Sequence, residues 1–367
     1  MKIPTTLLHD LCNLPTASFL EDAVIQFVEA WAKERKDISV KKDAFGNRLL
    51  TLGKPSRKPR FVLVAHADHP SFVMMEDGYA EFRGGVKADC AHGAKVRFYH
   101  ADAETRLTIE AVDADDDGRL KGAMFKGRKQ VTPGSIGMWD VGGPRVVGDR
   151  FSCRVCDDLA GVASAMQAMD LLRRKKLDQQ VCLLLTRAEE IGLLGAVFAA
   201  RDGKLLKESD RIISIETSSV LPTAQQGDGV ILRVGDRTST FHSAFMYFLF
   251  DRARTLAGKK DTEFKFQRCL MSGGSCEGTC FDAFGYIAGA VCVSLGNYHN
   301  MDQPRQKMGP EYISLSDWQN MVRLFVDLAQ NLGDFTGEHD KIRQKLGEGL
   351  DKAMPLVKNP RQPAPVR

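Results

Sequence analysis

The chain has 367 residues, of which 43% are hydrophobic and 27% are charged, and its formal net charge is +4. This composition is typical of globular proteins with about two domains. The small charge, without a basic stripe interleaved with aromatic residues, argues against nucleic-acid binding. We expect neither a secretory leader nor a membrane span. Nine scattered cysteines predict reduced thiols and a cytoplasmic location.

The first part of the chain predicts a helix, a hairpin and a buried strand. Apolar residues at helical spacing place the helix within residues 4–35. ISVKKDAFGNRLLTL predicts two strands joined by a turn at 45–47. Residues 61–65 predict a buried strand that leads directly into His66 and Asp68. A histidine can bind a metal while a nearby carboxylate orients its other nitrogen; an ordinary loop histidine is the alternative.

Residues 71–150 differ from the segments on either side. Helical periodicity is absent, glycine is frequent, and short alternating runs such as RLTIEAV dominate. This pattern predicts a small β-barrel or β-sandwich inserted into an α/β domain. We therefore assign residues 1–70 and 151–340 to the α/β domain, 71–150 to the inserted domain and 341–367 to a helical or flexible tail.

After Arg150 the α/β pattern returns. FSCRVCDDLAGVASAMQAMDLL predicts a strand and an amphipathic helix, with Asp157 and Asp158 at the corner between them. VCLLL predicts a buried strand that leads to Glu189 and Glu190, although a buried helical segment shows the same pattern. Because adjacent side chains diverge, one glutamate can bind a metal while the other moves a proton. A solvated pair of glutamates is the alternative.

The remaining segments complete a predicted α/β fold with a mostly parallel central sheet flanked by helices. RIISIE predicts a strand that ends at Glu216, and GAVCVSLGNYHNM predicts one that ends at His299. GVILRVG and TEFKFQ predict further strands, and residues 240–258 and 313–332 predict helices. The proline-rich tail from Pro355 is expected to be flexible.

Side chains that suit metal ions recur at the predicted strand ends and at the strand-to-helix corner. Because an open α/β sheet places its ligands at the carboxyl ends of its strands, we expect these side chains to meet. Carboxylates and imidazoles without a thiolate predict a pair of divalent ions, with zinc, cobalt or manganese as candidates. Two ions about 3.5–4 Å apart can activate water and polarise an amide carbonyl. A further carboxylate is then needed to transfer a proton to the leaving amine.

Over residues 5–335 the motifs resemble, in order, the co-catalytic dinuclear-metal aminopeptidases of the glutamyl or deblocking family, whose members form tetrahedral particles. AHADHPSFVMM is similar to the family's AHMDEIGFMV, VCDDLAGVA to FDDRAGVA, TRAEEIGLLGA to TVQEEVGLRGA, and NYHNM to RYIHS. GGVKADCAHGAKVRF and PGSIG resemble its inserted domain. In the related carboxypeptidase and aminoacylase branch, the extra domain follows the third ligand instead. The resemblance implies a zinc-peptidase-like fold.

The resemblance implies two divalent metal ions per chain, most simply zinc. Asp157 would bridge the two ions. His66 and Glu216 would complete the ligands of one ion, and Glu190 and His299 those of the other. The family usually has aspartate where this chain has Glu216, and glutamate is commoner there in the carboxypeptidase-like branch.

The resemblance also implies roles for residues that do not bind metal. Glu189 would be the general base, Asp68 would orient the histidine ligand two residues before it, and Asp158 would follow a cis peptide bond. The family's GGTD loop, which helps to form the substrate pocket, corresponds here to Gly273, Gly274, Ser275, Cys276 and Glu277.

The implied function is that of an aminopeptidase that acts on short peptides and assembles into a homo-oligomer through its inserted domain. Two alternatives stay open. A carboxypeptidase or N-acyl-amino-acid amidohydrolase could use the same two ions, and would be recognised by inactivity on free N-termini. A non-catalytic scaffold with a vestigial site would be recognised by the absence of bound metal.

Two other features have simpler structural explanations. Cys153 and Cys156, together with Cys276 and Cys280, could in principle hold a structural zinc ion or undergo redox chemistry, but ordinary buried cysteines explain them as well. His242 stands alone on a predicted apolar helix, so we do not expect it to be a metal ligand.

Overall fold

The computed structural model describes residues 3–76, 78–100, 103–127, 131–202, 204–260 and 263–358. The helices are α1 (Thr6–Leu11), α2 (Asp22–Lys33), α3 (Leu159–Leu172), α4 (Leu194–Asp202), α5 (Ser243–Ala257), α6 (Glu277–Ala283), α7 (Leu315–Asn331) and α8 (Asp340–Lys358). The strands are β1 (Ile38–Lys42), β2 (Arg48–Leu52), β3 (Phe61–His66), β4 (Ser71–Met74), β5 (Tyr79–Arg83), β6 (Lys95–His100), β7 (Ala103–Ala114), β8 (Leu120–Lys126), β9 (Ile136–Trp139), β10 (Arg145–Val147), β11 (Arg150–Cys153), β12 (Val181–Thr186), β13 (Arg211–Ser219), β14 (Val230–Gly235), β15 (Phe266–Leu270), β16 (Ile287–Leu295), β17 (Met301–Asp302), β18 (Lys307–Met308) and β19 (Glu311–Ser314).

An eight-stranded sheet forms the centre of the α/β part, in the order β1-β2-β12-β3-β13-β16-β14-β15. The four middle strands, β12, β3, β13 and β16, run parallel to one another. Strand β14 is antiparallel to β16, and β2 is antiparallel to β12. The four parallel strands therefore present their carboxyl ends at one edge, and this edge is where the predicted site residues converge.

Alternating side chains of the buried strands explain why helices cover both faces of the sheet. On β3, Phe61, Leu63 and Ala65 belong to the larger apolar core, whereas Val62 and Val64 belong to the core on the opposite face. Helix α3 packs against α1 and α7 on the first side, and α4 packs against α6 on the second. This three-layer arrangement confirms the predicted fold class.

The predicted inserted β structure is a closed six-stranded barrel, β4-β5-β8-β7-β6-β9. Aromatic side chains fill it: the Phe72 ring centroid lies 4.8 Å from that of Phe82, 5.3 Å from Phe125 and 5.1 Å from Trp139. The barrel strands span residues 71–139, and β10 joins β11 and β19 in a separate small sheet. The exact limits of the predicted domains stay predictions.

The helical region expected over residues 4–35 consists of two helices, α1 and α2, separated by residues 12–21. The intervening segment turns towards the end of β3, where Thr16 Oγ1 donates to the Ala67 carbonyl at 2.6 Å and Ser18 Oγ donates to Asp68 Oδ2 at 2.6 Å. These tertiary hydrogen bonds hold the intervening segment outside both helices, and the residues at helical spacing, 23–31, all lie in α2.

Three other expectations need correction. Helix α3 is not amphipathic, because twelve of its residues are buried between the sheet and the neighbouring helices. Strand β13 does not end at Glu216, because its pairing with β16 continues to Ser219. Strand β15 begins at Phe266, where pairing with β14 starts, so residues 263–265 of the predicted strand are irregular and residue 262 lies outside the described residues.

The predicted tail begins as a regular helix. Helix α8 includes Pro355 and continues to residue 358, so the flexible segment expected from this proline does not begin there; residues 359–367 lie outside the described residues. Among the residues that the structure describes, no helix is both long enough and apolar enough to cross a membrane.

The central strand β12 provides a test of this architecture. Leu183 is wholly buried in the larger core, so Leu183→Ala should lower the free energy of unfolding by about 2–5 kcal/mol in urea denaturation followed by circular dichroism. Leu346→Ala, at an exposed site on α8, is the matched control and should change it by no more than about 0.5 kcal/mol. Equal effects of the two substitutions would contradict the described core.

Candidate metal centre

The polar residues predicted at the strand ends converge at the carboxyl edge of the sheet. Their ligand atoms fall into three groups, each with its atoms within 4.8 Å of one another. These groups are His66 with Asp157 and Glu216, His66 with Glu189 and Glu190, and Asp157 with Glu190 and His299. The first and third match the two ligand sets implied by the resemblance. The second contains Glu189, which the resemblance assigns as the base.

Asp157 lies between two histidines. Its Oδ1 is 3.5 Å from His66 Nε2, and its Oδ2 is 3.7 Å from His299 Nε2. Glu190 Oε2 approaches the same His299 nitrogen to 3.3 Å. A carboxylate with one oxygen directed towards each histidine has the geometry needed to bridge two ions.

The far ring nitrogens of both histidines have partners on the protein. His299 Nδ1 lies 2.7 Å from the Gly85 carbonyl, which can only accept a hydrogen bond, so this nitrogen is the donor. His66 Nδ1 lies 3.2 Å from the Asp68 carbonyl and 3.5 Å from its Oδ1. Each ring therefore keeps the lone pair of Nε2 directed into the site, as metal-binding histidines do.

Several buried oxygens at the centre accept no hydrogen bond from any described residue. They are Asp157 Oδ1, Glu190 Oε1 and Glu216 Oε1. Leaving such carboxylate oxygens unpaired is costly unless a cation or a proton compensates them. The donor set, which consists of imidazole nitrogens and hard oxygens, therefore fits divalent ions.

Burial and mutual repulsion dominate the electrostatics of these residues. Burial raises the pKa of Glu216 to about 8, and burial also raises the pKa of Glu189 well above its usual range. Burial lowers the pKa of His299 to about 4. In contrast, although burial opposes its charged form, the surrounding carboxylates raise the pKa of His66. Without ions the centre therefore retains protons, which bound ions would displace.

Left-handed backbone conformations shape the loops that carry these residues. Ala188 has φ +55°, and in the turn after β16 His299 has φ +52° and Asn300 has φ +63°. Residues other than glycine rarely adopt this region, and it is frequent at functional sites. The peptide bond between Asp157 and Asp158 is cis.

A cavity opens onto the centre. Gly273, Gly274 and Ser275 of the predicted substrate loop line it, together with Glu189 and Glu216 from the centre. The structure does not bring Cys276 and Glu277 to its wall, because both side chains are wholly buried behind the loop.

Sequence reasoning missed several residues around the centre. Arg233, on β14, lines the cavity and donates to Ser218 Oγ at 3.1 Å. Glu311 accepts hydrogen bonds from the backbone amides of Cys156 and Asp157. No local pattern marks either residue, since both come from strands that are distant in sequence.

The cysteine alternative gains no support. Cys153 Sγ and Cys156 Sγ lie 3.3 Å apart, but no cysteine of the described residues belongs to a group that could hold a metal. His242 precedes α5 and accepts a hydrogen bond from the Phe245 amide at 3.2 Å. It therefore caps this helix.

Comparison with known proteins points to the family that the sequence motifs resemble. A family model described as M42 glutamyl aminopeptidase matches residues 126–307. A curated relative from Acetivibrio thermocellus, named as an aminopeptidase, is 24% identical over 333 residues, which cover 84% of this chain and 92% of the relative.

Solved structures share the fold. A TET aminopeptidase from a marine-sediment Thaumarchaeota archaeon has a TM-score of 0.73 at 19% identity, with 89% of this chain and 96% of that chain covered. An aminopeptidase from Desulfurococcus kamchatkensis has a TM-score of 0.73 at 20% identity, with 91% and 97% covered. The TET1 peptidase of Pyrococcus horikoshii, described as assembling into a tetrahedron or an octahedral shell, has a TM-score of 0.70 at 21% identity, with 88% and 98% covered.

Glu277 provides a test of the electrostatics behind the cavity. Both of its oxygens lack hydrogen-bond donors among the described residues, and burial raises its pKa to about 7. The folded protein therefore keeps the Glu277 proton up to about pH 7, whereas the unfolded chain releases it near pH 4.5. Stability is lost as the pH rises from about 4.5 to about 7. Above pH 7 the ionised Glu277 carboxylate lowers the free energy of unfolding by up to about 3 kcal/mol.

Glu277→Gln should therefore stabilise metal-free protein at pH 8.5 by up to about 3 kcal/mol, and by clearly less at pH 5.5. Urea denaturation of chelator-treated protein at both pH values measures this difference. Glu34→Gln, at an exposed side chain, is the control and should stay within about 0.5 kcal/mol at both. The same gain at both pH values would contradict the proposed cause.

Proposed function

We propose that this chain, which belongs to the M42 glutamyl aminopeptidase family, removes N-terminal residues from short peptides by metal-dependent hydrolysis. The main support for this proposal is the position of the Asp157 carboxylate, which directs one oxygen towards His66 and the other towards His299. This arrangement supports two ions per chain bridged by one carboxylate. Zinc is the first candidate, with cobalt and manganese as alternatives.

The five ligands divide between two ion positions. His66, Asp157 and Glu216 would hold one ion, and Asp157, Glu190 and His299 the other. When bound, such ions polarise a peptide carbonyl and make a water molecule more acidic. The longer side chain of Glu216, in place of the family's aspartate, still brings an oxygen within reach of the other two ligands of its group.

Glu189 is the proposed general base. It lines the cavity, and its Oε2 lies 3.9 Å from His66 Nε2, so its carboxylate faces the space where a scissile bond would lie. The raised pKa of this side chain favours holding a proton after it leaves water and before it reaches the leaving amine. Asp68 fixes the loop, because its carboxylate accepts hydrogen bonds from the amides of Glu189 and Glu190.

The loop formed by Gly273, Gly274 and Ser275 is the proposed contact for the substrate's first residue, since it lines the cavity beside the ligands. A homo-oligomer assembled through the barrel is also part of the proposal, by analogy with the assembly described for the Pyrococcus horikoshii peptidase. A cytoplasmic location is also part of the proposal, based on the odd number of cysteines scattered along the sequence.

Glu216 is the reason to test one alternative function. A glutamate at this position is commoner in the carboxypeptidase-like branch, so an exopeptidase or amidohydrolase acting on carboxyl ends or N-acyl groups could use the same ions. Metal content measured with a panel of peptides with free and blocked ends separates these functions. About two ions per chain and cleavage from free N-termini are expected. Cleavage only at carboxyl ends or N-acyl groups would favour the alternative, and no metal with no turnover would favour a scaffold.

Glu189→Gln tests the assignment of the base. The substitution keeps the shape of the side chain but removes its ability to accept a proton, so kcat should fall by about 10²–10⁴-fold while two ions remain bound. Elemental analysis together with initial rates measures both quantities.

Glu190→Gln is the matched comparison, because it alters the neighbouring carboxylate, which is the proposed ligand. It should lower metal affinity as well as turnover. Full activity of the Glu189 variant would contradict the mechanism, and loss of metal from that variant would make the residue a ligand instead.

A further inference from the structure

His69 is a wholly buried histidine directly behind the metal centre, and it belongs to none of the three ligand groups. Its ring connects two segments that are far apart in the chain. Nδ1 lies 2.7 Å from the backbone carbonyl of Asp157, and Nε2 lies 3.0 Å from Asn300 Oδ1. One of these partners is the proposed bridging ligand, and the other is the neighbour of the ligand His299.

The orientation of the Asn300 amide is fixed independently of His69. Its Nδ2 donates to the carbonyls of Arg154 at 2.9 Å and Gly309 at 3.1 Å, and both of these groups can only accept. Oδ1 therefore faces His69, so both ring nitrogens of His69 lie against acceptors. A neutral ring donates a hydrogen bond to one of these acceptors, and only a doubly protonated ring donates to both. The Gly309 amide in turn donates to the Asn300 carbonyl at 2.8 Å, so both the backbone and the side chain of this residue are tied down.

The turn that carries His299 needs such restraint. Asn297, His299 and Asn300 all have positive φ, between +52° and +63°, although none is glycine. Conformations of this kind persist only where surrounding contacts hold them. The hydrogen bonds of Asn300 act on the residue next to the ligand, and His69 joins that residue to the corner that carries Asp157.

We propose that His69 and Asn300 form a positioning clamp that fixes Asp157 relative to His299. This inference rests on the proposed function, since it assigns the clamp to the ion held by Asp157, Glu190 and His299. The other ion depends less on the clamp, because His66 is oriented separately by Asp68. Partners of this kind typically change metal affinity by about 10–100-fold.

The test is a Zn²⁺ titration of metal-free protein against a chelating indicator, which resolves the two binding steps. His69→Gln retains much of the side-chain volume, and His69→Ala removes the ring entirely. In both variants, one step should weaken by about 10–100-fold while the other changes by less than about threefold. For peptide hydrolysis, kcat should fall more than KM rises, because the clamp aligns ligands and does not contact substrate.

A cycle with Asn300→Ala tests whether the two residues act together. If they form one clamp, the double variant His69→Ala with Asn300→Ala should weaken the affected step no further than the stronger single variant. Full additivity of the two effects would overturn the coupling. His242→Gln is the control, because it also removes a histidine hydrogen bond, but at the start of α5, and should leave both steps unchanged.

The outcomes separate the clamp from the function on which it rests. Two-ion binding by the wild type, with unchanged or equally weakened steps in the His69 variants, would overturn the clamp and leave the proposed function standing. A wild type that binds no Zn²⁺ would overturn both. Thermal unfolding of the metal-free variants identifies any that fail to fold, and His69→Gln then provides the comparison.

Discussion

Negative charge is concentrated and buried at the carboxyl edge of the sheet, and the surrounding loops and strands must hold it there. Asp157, Glu189, Glu190 and Glu216 stand together with His66. Asp157, Glu216 and His66 are buried, and the two adjacent glutamates are partly buried. Such a cluster is unfavourable by itself, because each carboxylate loses hydration and repels the others. Protons or divalent ions must compensate it, and the convergence of unpaired oxygens on a few points favours ions.

A surrounding layer of hydrogen bonds holds this unfavourable cluster in place. Asp68 accepts from the amides that carry the two glutamates, and Glu311 accepts from the amides at the Asp157 corner. Glu21 accepts from the Ala188 amide and from Arg187, just before the glutamates. Apart from the Arg187 bond, these bonds hold backbone amides, so they fix where the proposed ligands project without competing for the ligand atoms themselves. The α/β scaffold thus stabilises loops whose own conformations are unfavourable.

The sequence predicted the parts of this arrangement that depend on local pattern. Buried apolar strands that lead into His66 and into Glu189 are visible without any structure, and the resemblance supplied roles for them. Other features depend on contacts between distant segments. The break between α1 and α2 reflects bonds from Thr16 and Ser18 to the end of β3, and the continuation of β13 past Glu216 reflects pairing with β16.

The predicted substrate loop shows, at the level of single residues, the same limit of prediction from local sequence pattern. Its sequence gives five consecutive candidates, yet only Gly273, Gly274 and Ser275 reach the cavity, because α6 begins at Glu277 and carries the chain back into the core. His69 was missed for the opposite reason. It is adjacent to Asp68 in the sequence, but its proposed positioning role depends on Asn300, 231 residues away, and no local pattern encodes that pairing.

The barrel contributes to the centre directly as well as offering a surface for assembly. The Gly85 carbonyl, just after β5, receives the hydrogen bond from His299 Nδ1, and the Lys87 amide contacts Met301 Sδ at 3.3 Å. Met301 itself packs into the aromatic barrel core. A proposed ligand histidine of the α/β domain is therefore oriented by the inserted domain. Because a histidine ligand binds well only when its second nitrogen is held, a displacement of the barrel would disturb the proposed metal centre through this bond.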